Sequence, residues 1–237
     1  MKSKKVILVT GTNSGVGKCL VKYFSQNKNN IIIGCSRSHD KFKSKNFFHT
    51  QVNLQNENEI KQWIKNIITT YGKIDYLINN AAFAPAAFPA LLNSYDLIKK
   101  TYELNVLGSF TLINEVAKHM IKKKFGRIIS FSSMSVELNQ EGTSLYSSSK
   151  SALIQYSKIL AKEIGKVNVT SNIIGLSVYD SKSIEKLGNF IINKAREKLI
   201  FKKNLTKEEI IHAVNFFLHK DSKSITGQEI YLGLIKN

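Results

Sequence analysis

Cysteine, proline, arginine and acidic residues are all scarce in this chain of 237 residues. Cys19 and Cys35 are its only thiols. Two isolated cysteines make neither a disulfide framework nor a zinc site, so both are expected in the core of a protein kept reduced, and no metal site is expected. The only prolines, Pro85 and Pro89, share one loop. No proline-rich linker divides the chain, and residues 1–237 read as a single domain. No apolar run reaches the roughly 18–20 residues needed to cross a bilayer, which excludes a membrane helix. The basic start Met1-Lys2-Ser3-Lys4-Lys5 is followed by an apolar run only from Val6 to Val9, too short for a secretory signal. A cytoplasmic location is expected.

The shortage of acid leaves a net charge of +18, from 35 Lys+Arg against 17 Asp+Glu. Only Arg37, Arg127 and Arg196 are arginines. Dedicated nucleic-acid sites favour the planar guanidinium fork, so no nucleic-acid partner is expected. The excess reads as lysine spread over the surface, with a field that attracts any anionic substrate or cofactor. Hydrophobic residues make up 43% of the chain, enough for a sizeable core.

Short β-branched runs alternate with amphipathic stretches. Lys5–Thr10, Asn30–Cys35, Phe47–Val52, Ile74–Ile78, Gly126–Phe131, Asn168–Ile174 and Gln228–Leu232 read as strands. Helices are expected over about 15–27, 57–71, 95–123, 144–164 and from Thr206 through His219. The helix over 95–123 has polar breaks near Asn105 and Gly108, and Thr206-Lys-Glu-Glu209 is a capping box. Such alternation means βαβ units: an α/β, doubly wound, mostly parallel sheet of about seven strands with helices on both faces. Residues 176–200 interrupt the pattern and read as a helical, mobile lid over the substrate.

The first strand runs into Thr10-Gly11-Thr12-Asn13-Ser14-Gly15-Val16-Gly17. A chain that must turn sharply, let a diphosphate approach its backbone and start a helix packed on the sheet needs glycines at such points. The helix N-terminus then offers unpaired N–H groups to the phosphates. Gly11, Asn13, Ser14, Gly15, Val16 and Gly17 are therefore the expected cofactor cradle.

The spacing TGxxxGxG resembles the short-chain dehydrogenase/reductase family, whose fold is the Rossmann-type sheet just described. The resemblance implies further positions. Ser36 stands 19 residues after Gly17 and is followed by Arg37. No carboxylate is there to take the ribose of NAD, whereas a hydroxyl and a guanidinium suit a 2′-phosphate. NADP(H) is the expected cofactor, with NAD(H) the alternative. Asn53 replaces the aspartate that meets the adenine in the family and can still hydrogen-bond, and Asn53 and Leu54 are expected to bind the cofactor. Asn79-Asn80-Ala81-Ala82 resembles the family's NNAG signature, and Asn79, Asn80 and Ala81 are expected at the cofactor ribose and the sheet edge.

Tyr146 and Lys150 lie four residues apart at the start of a helix, on one face. A tyrosine, with pKa about 10, works near neutrality only when something acidifies it. A neighbouring ammonium, joined by the oxidised nicotinamide charge when present, is expected to do so. As a bare pattern YxxxK is weak. Its setting strengthens it, because Ser133 lies thirteen residues upstream and Asn105 one helix earlier, as in the family. The resemblance implies that Tyr146 protonates a carbonyl oxygen, Ser133 hydrogen-bonds it (Ser132 in reserve), Lys150 binds the nicotinamide ribose, and Asn105 links the lysine to solvent.

Two departures stand out. Leu176-Ser177 takes the place of the usual Pro-Gly, and Gly233-Leu234-Ile235 that of Asp-Gly-Gly. The pattern is nonetheless similar to that of 3-oxoacyl-acyl-carrier-protein reductases. Such a carrier is acidic, suiting a basic enzyme and the run Lys122-Lys123-Lys124. A small-molecule carbonyl substrate, free or carried on acyl carrier protein, and a homo-oligomer (tetramer or dimer) follow as expectations. A sugar, polyol or small ketone is the alternative substrate, and a non-catalytic dinucleotide- or nucleic-acid-binding protein the alternative class.

Overall fold

The computed structural model describes residues 4–179, 193 and 196–233. Seven parallel strands form one sheet in the order β3-β2-β1-β4-β5-β6-β7. They are β1 (Lys5–Thr10), β2 (Asn30–Ser36), β3 (Phe47–Gln51), β4 (Tyr76–Asn79), β5 (Gly126–Ser133), β6 (Val169–Leu176) and β7 (Glu229–Leu232). The winding reverses between β1 and β4, where sequence neighbours depart in opposite directions. A crevice opens at the carboxyl ends of the strands at such a point.

Each strand feeds two cores because its side chains alternate. From β1, Val6 and Leu8 enter one core, while Ile7 and Val9 enter the other. The first core holds Ile60, Trp63 and Ile64 of α2 (Glu57–Tyr71), Leu112 and Val116 of α4 (Ser109–Lys123), and Leu153 and Leu160 of α6 (Ser144–Ile164). The second holds Leu20, Val21 and Phe24 of α1 (Gly15–Ser25) with Ile210, Val214 and Phe217 of the last helix, Lys207–Leu218, here α7.

The expected helix over 95–123 is three pieces. α3 (Tyr95–Tyr102) leads into a π-helical turn, Glu103–Gly108, and then α4. The wide turn falls on the two polar breaks. A side chain at Gly108 would put its Cβ 2.0 Å from the Leu54 carbonyl oxygen, so the close approach requires glycine. The Thr206–Glu209 capping box forms as read, with both reciprocal bonds. Asn56 caps α2 by accepting from the N–H groups of Asn58 and Glu59.

Three expectations need correction. Cys35 is buried, but Cys19 is only half-buried, because α1 turns that position toward its flank. A short helix, α5 (Met134–Leu138), follows β5 where none was read; five residues are too few to show a period. Leu54 lies in the core, 6% exposed, so its side chain is packing rather than a ligand contact. Most of the expected lid, including Leu187, Phe190, Ile191 and Ile192, lies outside the described residues, as do Leu234 and Ile235. Of its flanks, Val178 and Leu199 pack on Met134 of α5, and Tyr179 bridges Leu205.

Candidate active site

β1 delivers the glycine turn to the crevice. Gly11 has φ +71 and Gly15 φ +53, values that favour glycine. At Gly17 an added Cβ would stand 2.3 Å from the Gly11 carbonyl oxygen, so the first turn of α1 presses directly on the loop. The Ser14 side chain makes no cap bond and the first turn of α1 carries no acid. Its opening N–H groups therefore face the crevice without a competing anion. These residues fit a diphosphate.

Asn80 tightens the same turn. Its Nδ2 donates to the Thr10 carbonyl at 2.8 Å and to that of Gly11 at 3.3 Å. Thr10 Oγ1 accepts in return from the N–H groups of Asn80 and Ala81. Asn80 thus clasps β4 to β1, the sheet-edge part of its expected task. Asn79 is different. It is 2% exposed, and neither its Oδ1 nor its Nδ2 has a protein partner. A buried amide left open on both atoms at a crevice is a natural ligand group.

At the end of β2, Arg37 is exposed, with its carbonyl held by Gln51 Nε2. Ser36 is less available than expected. Its hydroxyl donates to the Ser38 carbonyl at 2.7 Å and meets His49 Nε2 at 2.8 Å. Burial lowers the His49 pKa, opposed by the nearby Asp40. His49 was not legible as a site residue, because only the β2–β3 pairing brings it there. Asn13 ties the turn to the same loop, its Nδ2 donating to Ser38 and to the His39 carbonyl. Asn53 is exposed; its Oδ1 accepts from Gln55 N–H, while its own N–H is held by Glu59.

β5, α6 and the π turn assemble the other half. Ser133 caps α5: its Oγ accepts from Ser135 N–H at 3.2 Å and from Ser135 Oγ at 3.1 Å. Its own hydroxyl proton stays uncommitted. Ser132 Oγ is buried without a partner. Lys150 is 3% exposed; its Nζ donates to the Phe131 carbonyl at 2.8 Å and stands 5.7 Å from the Tyr146 ring centroid. Asn105, 1% exposed, sits in the π turn. Its Oδ1 accepts from Phe83 N–H, and its Nδ2 donates to the Phe83 carbonyl and to Ser149 Oγ.

The electrostatics reverse one expectation. Burial raises the Tyr146 pKa to about 12 and lowers that of Lys150 to about 8. The ammonium is turned to the Phe131 carbonyl, and desolvation outweighs any acidifying effect on the phenol. In the chain by itself the phenol keeps its proton at neutral pH.

The model of the family described as short chain dehydrogenase matches residues 5–190. The chain is a short-chain dehydrogenase/reductase. As such it is an NAD(P)-dependent oxidoreductase. This short-chain dehydrogenase is 32% identical over 235 residues to the 3-oxoacyl-[acyl-carrier-protein] reductase FabG of Buchnera aphidicola subsp. Schizaphis graminum, covering 97% of this chain and 96% of the relative. It shares its fold with ElxO, solved with NADP bound, at TM-score 0.89 and 24% identity, with 96% of each chain covered. A 4-hydroxyisoleucine dehydrogenase complexed with NADH aligns at TM-score 0.86 and 26% identity, with 98% of each chain covered. Among the described residues no helix is long and apolar enough to cross a membrane, and no three His, Cys, Asp or Glu side chains gather to hold a metal ion.

Proposed function

We propose that this chain is an NADP(H)-dependent reductase of a 3-oxoacyl group carried on acyl carrier protein. The observation that carries the reading is the 32% identity with a reductase of that name over nearly the whole of both chains. The exposed Arg37 supports the phosphorylated cofactor. The glycine turn and Asn79 would hold its diphosphate and ribose, and it would supply the hydride.

The proposed roles of the chain's own groups follow from their bonds. Tyr146 keeps its proton at neutrality, so it is a donor to the oxygen of a carbonyl being reduced. Ser133 has an uncommitted hydroxyl proton with which to orient that oxygen. Lys150 commits one N–H to Phe131 and retains two for ribose hydroxyls. Asn105 fixes the π turn beside them.

A carrier surface is supported by lysine at the opposite edge. Lys122 and Lys123 end α4, and Lys124 closes it with φ 53. Asn168 Nδ2 reaches the Lys124 carbonyl, which brings the Lys166 turn alongside. The continuous sheet supports a single domain, and exposed Leu107, Ile121 and Ile159 support an association of copies.

The test follows NADPH absorbance with acetoacetyl-acyl-carrier-protein, acetoacetyl-CoA, ketosugars and small ketones. The expected result is a catalytic efficiency at least tenfold higher for the carrier-bound thioester, lowered by Lys124→Glu. Equal or better turnover of a sugar would overturn the substrate while leaving the reductase standing.

A further inference from the structure

Three consecutive serines separate Tyr146 from Lys150, and the structure gives each a different environment. Ser147 donates to the Ser135 carbonyl at 3.0 Å and meets Thr143 Oγ1 at 2.8 Å, joining α6 to α5. Ser148 is exposed and donates back to the Ser144 carbonyl within α6 while accepting from Tyr102. Ser149 is 0% exposed. Its Oγ donates to the Tyr146 carbonyl at 2.7 Å and accepts from Asn105 Nδ2 at 3.0 Å.

The bonds form one directed chain. Phe83, in the loop after β4, is gripped on both its N–H and its carbonyl by the Asn105 amide. The remaining Nδ2 proton of Asn105 goes to Ser149, and the Ser149 proton goes to the main chain that carries the phenol. A hydroxyl suits this position: one small group both accepts and donates inside the helix. Hydrogen bonds in series polarise one another, and the two side chains at the centre, Asn105 and Ser149, are buried at 1% and 0% exposure.

We propose that Ser149 is a positioning residue, which transmits the placement of the π turn to the backbone of Tyr146 and so sets where the phenol stands relative to Lys150. Ser149 touches no reacting atom. The neighbouring serines, on other faces of α6, lack this role. The inference rests on proton transfer by Tyr146, not on the carrier-protein reading, so any turned-over ketone serves as substrate.

The experiment compares Ser149→Ala, the nearly isosteric Ser149→Cys and the hydroxyl-preserving Ser149→Thr with the full-length wild type. Readouts are kcat and KM, the pH profile of kcat, NADPH affinity by fluorescence, and the 13Cζ resonance of Tyr146 in the free protein. That resonance is assigned by its loss in Tyr146→Phe. Ser149→Ala and Ser149→Cys are expected to lower kcat by about 10²-fold, the scale of a misplaced catalytic group. KM and NADPH affinity should stay within about threefold. The pH profile and the Tyr146 resonance should shift, and Ser149→Thr should restore both. Ser148→Ala is expected to change none of these. A folded Ser149→Cys with wild-type kcat and an unmoved Tyr146 resonance would overturn the proposal. So would a fall in kcat with an unshifted pH profile and resonance, since that is mere loss of folded protein. If wild type turned over no ketone, the fault would lie with the reductase reading, and the resonance comparison would still decide the positioning role.

Discussion

Among the described residues two cations are buried, and neither lies against a carboxylate. Arg127, 1% exposed, stands at the start of β5; Lys150, 3% exposed, reaches the same strand four residues on, at Phe131. Burial pushes both pKa values down. The difference is in their donors. Arg127 gives three hydrogen bonds, to the carbonyls of Gly126 and Asn168 and to Asn168 Oδ1, and stacks on Phe125 with Cζ 4.8 Å from the ring centroid. Lys150 gives one. A buried charge held by carbonyls on several donors serves the fold, because it ties two strands together. Both keep donors to spare, Arg127 its buried Nε, but only Lys150 keeps them beside a phenol and a crevice, where something else can bind.

Removing the phenol should have the largest effect. Tyr146→Phe takes away one oxygen and leaves the Lys150 bond to Phe131 intact. Steady-state turnover should fall by at least about 10³-fold, within the range attributed to general acid–base groups, while NADPH still quenches fluorescence. Activity within tenfold of wild type would remove Tyr146 from the chemistry.

The two cations themselves should fail in opposite ways. Lys150→Met should cost turnover about 10²-fold and gain slightly in thermal stability below pH 8, since the relieved cost of burying the charge exceeds the one bond removed. Arg127→Met should lower stability by roughly 3 kcal/mol, from three charge-assisted bonds lost in part, with kcat of the folded protein within about twofold. Calorimetry and initial rates on the same preparations check both. Equal behaviour of the two variants would break the distinction between the two cations.

Arg37 is the third case, a cation in full solvent. Its worth to a 2′-phosphate is smaller and screened by salt. Arg37→Ala should raise the KM for NADPH about tenfold at low ionic strength, leave that for NADH nearly unchanged, and lose most of its effect in molar salt. A preference that survives the substitution would place the discrimination at Asn13, Ser36 and His49 instead.

These residues also mark how far the sequence could be read. The glycine turn, the Tyr146–Lys150 spacing and the capping box at Thr206 are local, so each is visible in a few consecutive residues. The π turn was half visible: Asn105 and Gly108 showed as polar breaks, but the Leu54 carbonyl that demands Gly108 lies far away in sequence. His49 at Ser36, and Asn80 on Thr10 and Gly11, exist only once parallel strands are in register. α5 was too short to have a period. The direction of the Tyr146 shift was misread because spacing places an ammonium near a phenol but says nothing about how deeply either is buried.

That misreading supplies the finest test. Lys150 has its ordinary pKa of 10.5 in the unfolded chain and about 8 in the fold. Below pH 8 both states carry the proton and the native state bears the full cost of burying the charge. Between pH 8 and 10.5 the unfolded chain binds more protons, so stability rises with pH. Tyr146 runs the other way, from an ordinary 10.0 to about 12. Between those values the unfolded chain has lost a proton that the native state retains, so stability falls as pH rises. Subtracting mutant from wild-type curves isolates each limb. The stability advantage of Lys150→Met over wild type should shrink from pH 8 to 10.5 by at most about 3 kcal/mol. Tyr146→Phe should keep the rising limb and lose the falling one. Urea unfolding at steps of one pH unit measures both, and parallel curves for Lys150→Met and wild type would show that Lys150 is as well solvated in the fold as outside it.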